Sequence, residues 1–297
     1  MLTFFATPKP FTGLFRVIQR NAIASWRHAV PSAEILLIGD ESGIDEAAKD
    51  FGARVVKSNS QNHFGTPFVD SVFAIARKNA AFPSLCYINS DILLEGNFNN
   101  LFAHPWATRS LLVGIRNEVV VEKPLSFSAN PFLSHDLTIV NRPTNANPTA
   151  IDYFIFPKDL YRWIPPFALG RAFWDNWLVA DALKRRFPVI DISSAVRAFH
   201  QEHAYSSKIR SVGGRWYGPE WEHNYLLGGG RSGYFTLEDA THIYELQDNT
   251  LRINRNNANH RRTLSRALSD LDLFESSGNR AIAAALMRNL DGFNESQ

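Results

Sequence analysis

Dense apolar runs alternate with amphipathic stretches along the first third of the chain. Leu2, Phe4, Phe5 and Ala6 crowd together and predict a strand over residues 2–6. Phe15, Ile18, Ala22 and Trp26 recur at helical spacing and predict a helix over residues 13–29, with Thr12 placed to cap it. Residues 34–39 form a compact apolar run suited to a buried parallel strand. A helical pattern over 44–51 follows, and Gly52 stands where it would stop. Residues 54–56 predict a short strand, 68–80 a helix, and 85–89 a further buried strand. Strands that alternate with helices predict an α/β fold, with a parallel sheet covered by helices on both faces.

The pattern fails over residues 117–149, which are rich in Asn, Pro and Ser and predict a long loop of the kind that is functional or mobile. Regularity returns as strands over 151–156, 188–192 and 195–200 and a helix over 174–186. Residues 205–218 carry Gly213, Gly214, Lys208, Arg210 and Arg215 and read as a flexible basic loop. Two short helices are predicted over 261–274 and 279–290. The expected division is a main domain over 1–246, in halves 1–116 and 117–246, and a small C-terminal helical extension over 247–297.

Composition narrows the class. Of 297 residues, 45% are hydrophobic and 20% charged, which fits a folded globular chain and excludes disorder. A net charge of +2 with scattered Lys and Arg argues against nucleic acid as a partner. The densest basic stretches, Lys184-Arg185-Arg186 and Arg261-Arg262, read as solvated helix faces. Cys86, the sole cysteine, rules out an intrachain disulfide and fits a reducing, cytoplasmic setting. It lies in an apolar run and reads as a small core residue. No run is long and apolar enough for a transmembrane segment, and no signal-peptide pattern is present.

The chemistry concentrates where the strand over 85–89 leaves the core, at Asn89-Ser90-Asp91. Strand geometry would place 89 and 91 on one face. Oxygen ligands at the carboxyl end of a parallel strand suit Mg²⁺ or Mn²⁺ shared with a diphosphate, at the end of the sheet where α/β folds bind ligands. The same residue types are also what a turn prefers. No Gly-x-Gly-x-x-Gly and no P-loop lysine pattern is present.

Further stretches accompany this one. They are Phe4-Phe5-Ala6-Thr7-Pro8-Lys9-Pro10-Phe11, Gln19-Arg20-Asn21-Ala22-Ile23, Gly39-Asp40-Glu41, Phe64-Gly65-Thr66-Pro67, Ile151-Asp152-Tyr153-Phe154, Gly170-Arg171 with Trp174-Asp175-Asn176-Trp177, and His200-Gln201-Glu202-His203. Together they resemble, over about residues 1–245, a bacterial group of GT-A-fold glycosyltransferase-like proteins whose Asp-x-Asp motif reads Asn-x-Asp. The resemblance implies a mixed, mainly parallel α/β sheet of the GT-A type. It also implies a divalent-metal-dependent glycosyltransferase using a UDP- or GDP-linked sugar donor and Mn²⁺ or Mg²⁺. The acceptor would be a glycan, a lipid-linked molecule or a small molecule.

The resemblance also distributes roles. Asp91, Asn89 and His200 would hold the metal. Ala6, Thr7, Pro8, Asp40, Asn62, Thr66, Asn89 and Ser90 would line the nucleotide site. Asp152 would bind donor-sugar hydroxyls, with Arg171, Trp174, Asn176 and His203 as further substrate contacts. Asp175 would be the base that takes the acceptor's proton, although an acidic residue in a first helical turn is also favoured by the helix dipole. The basic loop with Lys208 either closes over the diphosphate or is simply solvated. Two departures stand out: Asn89 carries no charge, and Ser207 stands where the related pattern has a histidine. The competing readings are a sugar-1-phosphate nucleotidyltransferase, for which the Gly-rich triphosphate loop is missing, and a non-catalytic nucleotide- or glycan-binding module.

Overall fold

The structure is a computed structural model and describes residues 2–58, 60–121, 123–127, 132, 137–141, 148–203, 210–212 and 215–254. The chain divides into two compact units, Met1–Ile253 and Asn254–Gln297, and the fold is that of the first. The helices expected over 261–274 and 279–290, and Lys208, Gly213 and Gly214, lie outside the described residues.

The chain opens with strand β1 (Leu2–Ala6), helix α1 (Gly13–Ala29), β2 (Glu34–Ile38), α2 (Ile44–Phe51), β3 (Arg54–Val56), α3 (Val69–Asn79) and β4 (Ser84–Ile88). These follow the predicted spans within a residue or two. Gly52 ends α2 in the left-handed conformation, at φ 61°, and its N–H bonds to Ala48 O. Thr12 occupies the N-cap of α1, but its side chain makes no capping bond.

After β4 come β5 (Ile92–Gly96), α4 (Phe98–Phe102), β6 (Leu111–Val113), β7 (Arg116–Val120) and β8 (Thr138–Asn141). Then follow β9 (Tyr153–Pro157), α5 (Trp174–Lys184), β10 (Val189–Asp191) and β11 (Val196–Gln201). The unit ends with β12 (Arg210–Val212), β13 (Arg215–Tyr217), α6 (Pro219–Leu227), β14 (His242–Glu245) and β15 (Thr250–Ile253).

The main sheet has the order β15-β14-β10-β6-β9-β4-β1-β2-β3. β1 pairs parallel with β2 and β4, β2 with β3, and β10 with β6 and β14, while β9 runs antiparallel between β4 and β6. Alternate residues of the central strands feed two cores. Phe4, Leu37, Cys86 and Ile155 face one side with Trp26 of α1. Phe5, Leu36, Leu85, Tyr87 and Phe154 face the other with α3 and α5. Burial on both faces explains why these strands read as solid apolar runs. Cys86 is buried among them, and that burial pushes its thiol up.

A second sheet has the order β5-β11-β7-β8. β11 is its centre, antiparallel to β5 and parallel to β7. Trp26 anchors it to α1 by donating to Ile92 O at 2.8 Å. Gly114, between β6 and β7, lies so close to Tyr153 that an added Cβ would sit 2.1 Å from its hydroxyl.

Three expectations are corrected. The stretch 117–149, expected as a loop, begins with β7 and contains β8. The basic loop contains a hairpin, with Arg210 opposite Tyr217 and Val212 opposite Arg215. The expected boundary at 246/247 falls inside the β14–β15 hairpin, which carries the main sheet to Ile253. No helix among the described residues is long and apolar enough to cross a membrane.

Candidate functional site

The strand at 85–89 does not run on through Asp91. β4 stops at Ile88, and Ile92 N–H bonds back to Asn89 O at 3.1 Å, closing a four-residue turn into β5. The shared-face expectation for 89 and 91 is therefore wrong, because the backbone reverses between them. Their side chains reach different partners.

Asp91 joins the histidines. Its Oδ2 lies 3.0 Å from His203 Nε2 and 3.6 Å from His200 Nε2. One ligand atom from each of the three lies within 4.8 Å of the others. His200 ends up here because β11 pairs with β5, placing His200 opposite Ile92, the residue after Asp91. Gln201, fully buried, fixes the turn: its Nε2 donates to Asp91 O at 3.0 Å and to Ile18 O at 2.8 Å. His203, expected on the substrate, thus stands in the same cluster as Asp91 and His200.

Asp91 Oδ1 is buried and has no hydrogen-bond partner, an arrangement that costs energy unless a ligand meets it. Burial alone would raise the Asp91 carboxyl, but the hydrogen bonds and charges of His200 and His203 outweigh it and hold it far below the usual range. Burial would lower the His200 imidazole, yet its bonds to Asp91 and Glu118 raise it to about 9. A carboxylate and two imidazoles with an orphaned oxygen fit Mn²⁺ well and Mg²⁺ less well, and a bound cation would displace the imidazole protons.

Asn89 takes no part in this cluster. Its Oδ1 accepts from Tyr87 OH and its Nδ2 donates to Asp152 Oδ1, both at 2.8 Å. Its amide is thus engaged on the Asp152 side, whereas it was expected as a metal ligand. Asp152 also pairs with Arg116 through its Oδ2. Arg116 Nε in turn donates to Glu118 Oε1 at 2.8 Å.

Asp175 lies in the first turn of α5 and accepts from Asn176 N at 2.9 Å. Burial pushes its carboxyl up to about 7, against the pull of the helix N–H groups and with a further push from Asp152. Tyr87 is raised well above the ordinary phenol by burial and then by the charges of Asp91, Asp152 and Asp175. The neighbours of Asp175 are structural. Trp174 is buried, edge-to-face with Tyr87 at 5.0 Å. Asn176 is buried and donates to Phe235 O at 2.6 Å. Both expected substrate contacts therefore point into the core.

The expected nucleotide residues are distributed around the strand ends. Ala6 is fully buried in the core, so its side chain has no face toward a ligand. Thr7 Oγ1 is buried without a partner. Pro8 is buried and Asp40 exposed, after β1 and β2 respectively. Ser90 Oγ donates at 3.0 Å to Gln19 Oε1, which also accepts from Lys9 N at 2.7 Å. Asn62 Oδ1 accepts from Phe64 N at 2.9 Å and Thr66 N at 3.1 Å, folding residues 62–66 into a tight turn.

Glu220, at the start of α6, gathers three of these residues. It accepts from Asn62 Nδ2 at 2.7 Å and from Arg171 at 2.6 and 2.9 Å, and bonds to Thr66. Lys9 connects this group to the cluster. Partial burial of its ammonium lowers it, while the charge of Asp91 opposes that and the charge of Arg171 adds to it. Its Nζ stands 4.3 Å over the Phe15 ring, which lies 5.0 Å from His203.

Glu118, Arg116 and Glu220 escaped the sequence reading, and Gln201 stood in it only within a matching stretch, without a role. Arg116 and Glu118 left no alternation to find, since Arg116-Asn117-Glu118 is a polar run followed by Val119-Val120-Val121 at the edge of a stretch without periodicity.

The chain matches no protein-family model and no curated protein. Among solved structures it resembles a mannosyltransferase of Pyrobaculum calidifontis in complex with GDP-Man and Mn²⁺, at 11% identity and TM-score 0.40, over 64% of this chain and 54% of that one. It resembles S. aureus TarS 1–349 in complex with UDP-GlcNAc at 12% identity and TM-score 0.42, over 70% and 62%. It resembles GalNAc-T7 with UDP, GalNAc and Mn²⁺ at 10% identity and TM-score 0.47, over 77% and 48%. The chain thus spans less than two thirds of the length of each. Likeness at this level carries no weight for activity, and the functional reading rests on the chain's own residues.

Proposed function

We propose that this chain is a glycosyltransferase that moves a sugar from a nucleotide-sugar donor to an acceptor hydroxyl, with a divalent cation held by Asp91, His200 and His203. The observation that carries the reading is the cluster itself: one carboxylate with an orphaned buried oxygen and two imidazoles at the strand ends, with Asp152 and a carboxyl raised to about 7 close by. When bound, the cation would neutralise diphosphate charge and so ease departure of the nucleoside diphosphate.

The residues divide the remaining work. Lys9, whose ammonium feels the charge of Asp91, supplies positive charge for the diphosphate. Thr7, with its unpartnered hydroxyl at the end of β1, offers a contact to the nucleotide, and Asp40 offers another. Asp152, held by Asn89 and Arg116, binds sugar hydroxyls. Asp175 takes the acceptor proton while the acceptor oxygen bonds to the anomeric carbon and the bond from that carbon to the diphosphate oxygen breaks. A carboxyl raised to about 7 suits this role, because its conjugate base is strong enough to accept a proton yet is populated near neutrality. Attack opposite the leaving group would invert the anomeric centre.

The test is ligand-induced stabilisation across a panel of UDP-, GDP- and dTDP-sugars, with Mn²⁺ or with EDTA. A ligand that binds only the folded state raises its Tm. One nucleotide family is expected to raise Tm more with Mn²⁺, and Asp91→Ala is expected to lose that increment. No shift with any donor would refute the proposal.

A further inference from the structure

His200 and Glu118 are direct neighbours on the parallel strands β11 and β7. Both side chains therefore leave the sheet on the same face, one strand spacing apart. A slip of one residue in that pairing would send Glu118 to the opposite face. The apolar residues Val119 and Phe199, which flank the pair in sequence, pack together on the other face and oppose such a slip.

The contact is short and specific. Glu118 Oε2 lies 2.6 Å from His200 Nδ1, while the other ring nitrogen, Nε2, faces Asp91 at 3.6 Å. The other oxygen of Glu118 accepts from Arg116 Nε at 2.8 Å, so the carboxylate is gripped at both ends. The His200 side chain is only 7% exposed, so water cannot easily replace this partner.

We infer that Glu118 is the positioning residue of the metal centre: it holds the Nδ1 proton of His200, so that the bare Nε2 is presented to a divalent cation beside Asp91. The inference rests on the metal reading proposed above. An imidazole whose second nitrogen donates to a carboxylate is fixed in tautomer and ring orientation and is a more basic ligand, and losing such a partner typically costs about 10–100-fold in metal affinity. Glu118 itself contacts neither cation nor substrate in this role.

Mn²⁺ titration of the full chain, followed by the electron paramagnetic resonance of free Mn²⁺, tests this. Glu118→Ala is expected to weaken Mn²⁺ binding by about 10–100-fold. Glu118→Gln, which keeps an acceptor of the same shape, is expected to recover part of that loss. Tm recorded on the same samples separates the effect from misfolding. In the Zn²⁺-loaded protein, long-range imidazole ¹⁵N correlations should place the His200 proton on Nδ1. Unchanged Mn²⁺ affinity in both Glu118 variants, alongside its loss in His200→Ala, overturns the inference and leaves the metal reading standing. A His200 proton on Nε2 also overturns it. Failure of the native protein to bind Mn²⁺ removes both.

Discussion

Burial raises the Asp175 carboxyl to about 7, well above an ordinary aspartate near 3.9. Two consequences follow with definite signs. For activity, the proposed role as base requires the ionised form, so on that reading the rate should climb as pH rises toward 7 and level off above it. Asp175→Asn should lower kcat by roughly 10²–10⁴-fold while leaving donor affinity nearly intact. For stability, the unfolded chain loses this proton near pH 4 and the folded chain keeps it to about 7. In that window the folded state binds more protons, so stability falls as pH rises, by on the order of 1–4 kcal/mol in total. Urea unfolding at pH 5 and pH 8 should show this fall in the native protein and a smaller one in Asp175→Asn, where the raised His200 imidazole still contributes with the same sign. The same scale explains the fate of Asn89. Its amide can donate and accept at once, and the structure uses both functions, toward Asp152 and Tyr87.

At the scale of the element, the turn after β4 and the register of β11 assemble the cluster. The buried strands were legible because solid apolar runs have one reading in an α/β pattern, and β1, β2 and β4 fall where the runs predicted. Asp91 and His200 were legible as residues at strand ends. The partnership of His200 with Glu118 was not, because it is set by pairing between strands 82 residues apart in sequence. Burial was also invisible. Trp174 and Asn176 looked like substrate contacts from their company, and their packing against Tyr87 and Phe235 turns them inward. Two substitutions test the element scale. Gln201→Ala should remove the ties to Asp91 O and Ile18 O and cost about 1–3 kcal/mol in equilibrium unfolding. Gly114→Ala should cost a similar amount, roughly 1–3 kcal/mol, because its methyl would meet the Tyr153 hydroxyl.

Across the whole unit Met1–Ile253, a mixed, mainly parallel sheet carries the cluster at its strand ends, and a small second sheet brings the histidines to it. The net charge of +2 supplies no strong overall field, so the proposed binding of a charged donor would rest on local groups. The most direct test of metal-dependent sugar transfer is release of nucleoside diphosphate from the donor that stabilises the protein, measured with Mn²⁺, with EDTA, and in Asp91→Ala. The account predicts release with Mn²⁺, and loss of it both in EDTA and in the variant. Release at an equal rate in EDTA or in Asp91→Ala would contradict it.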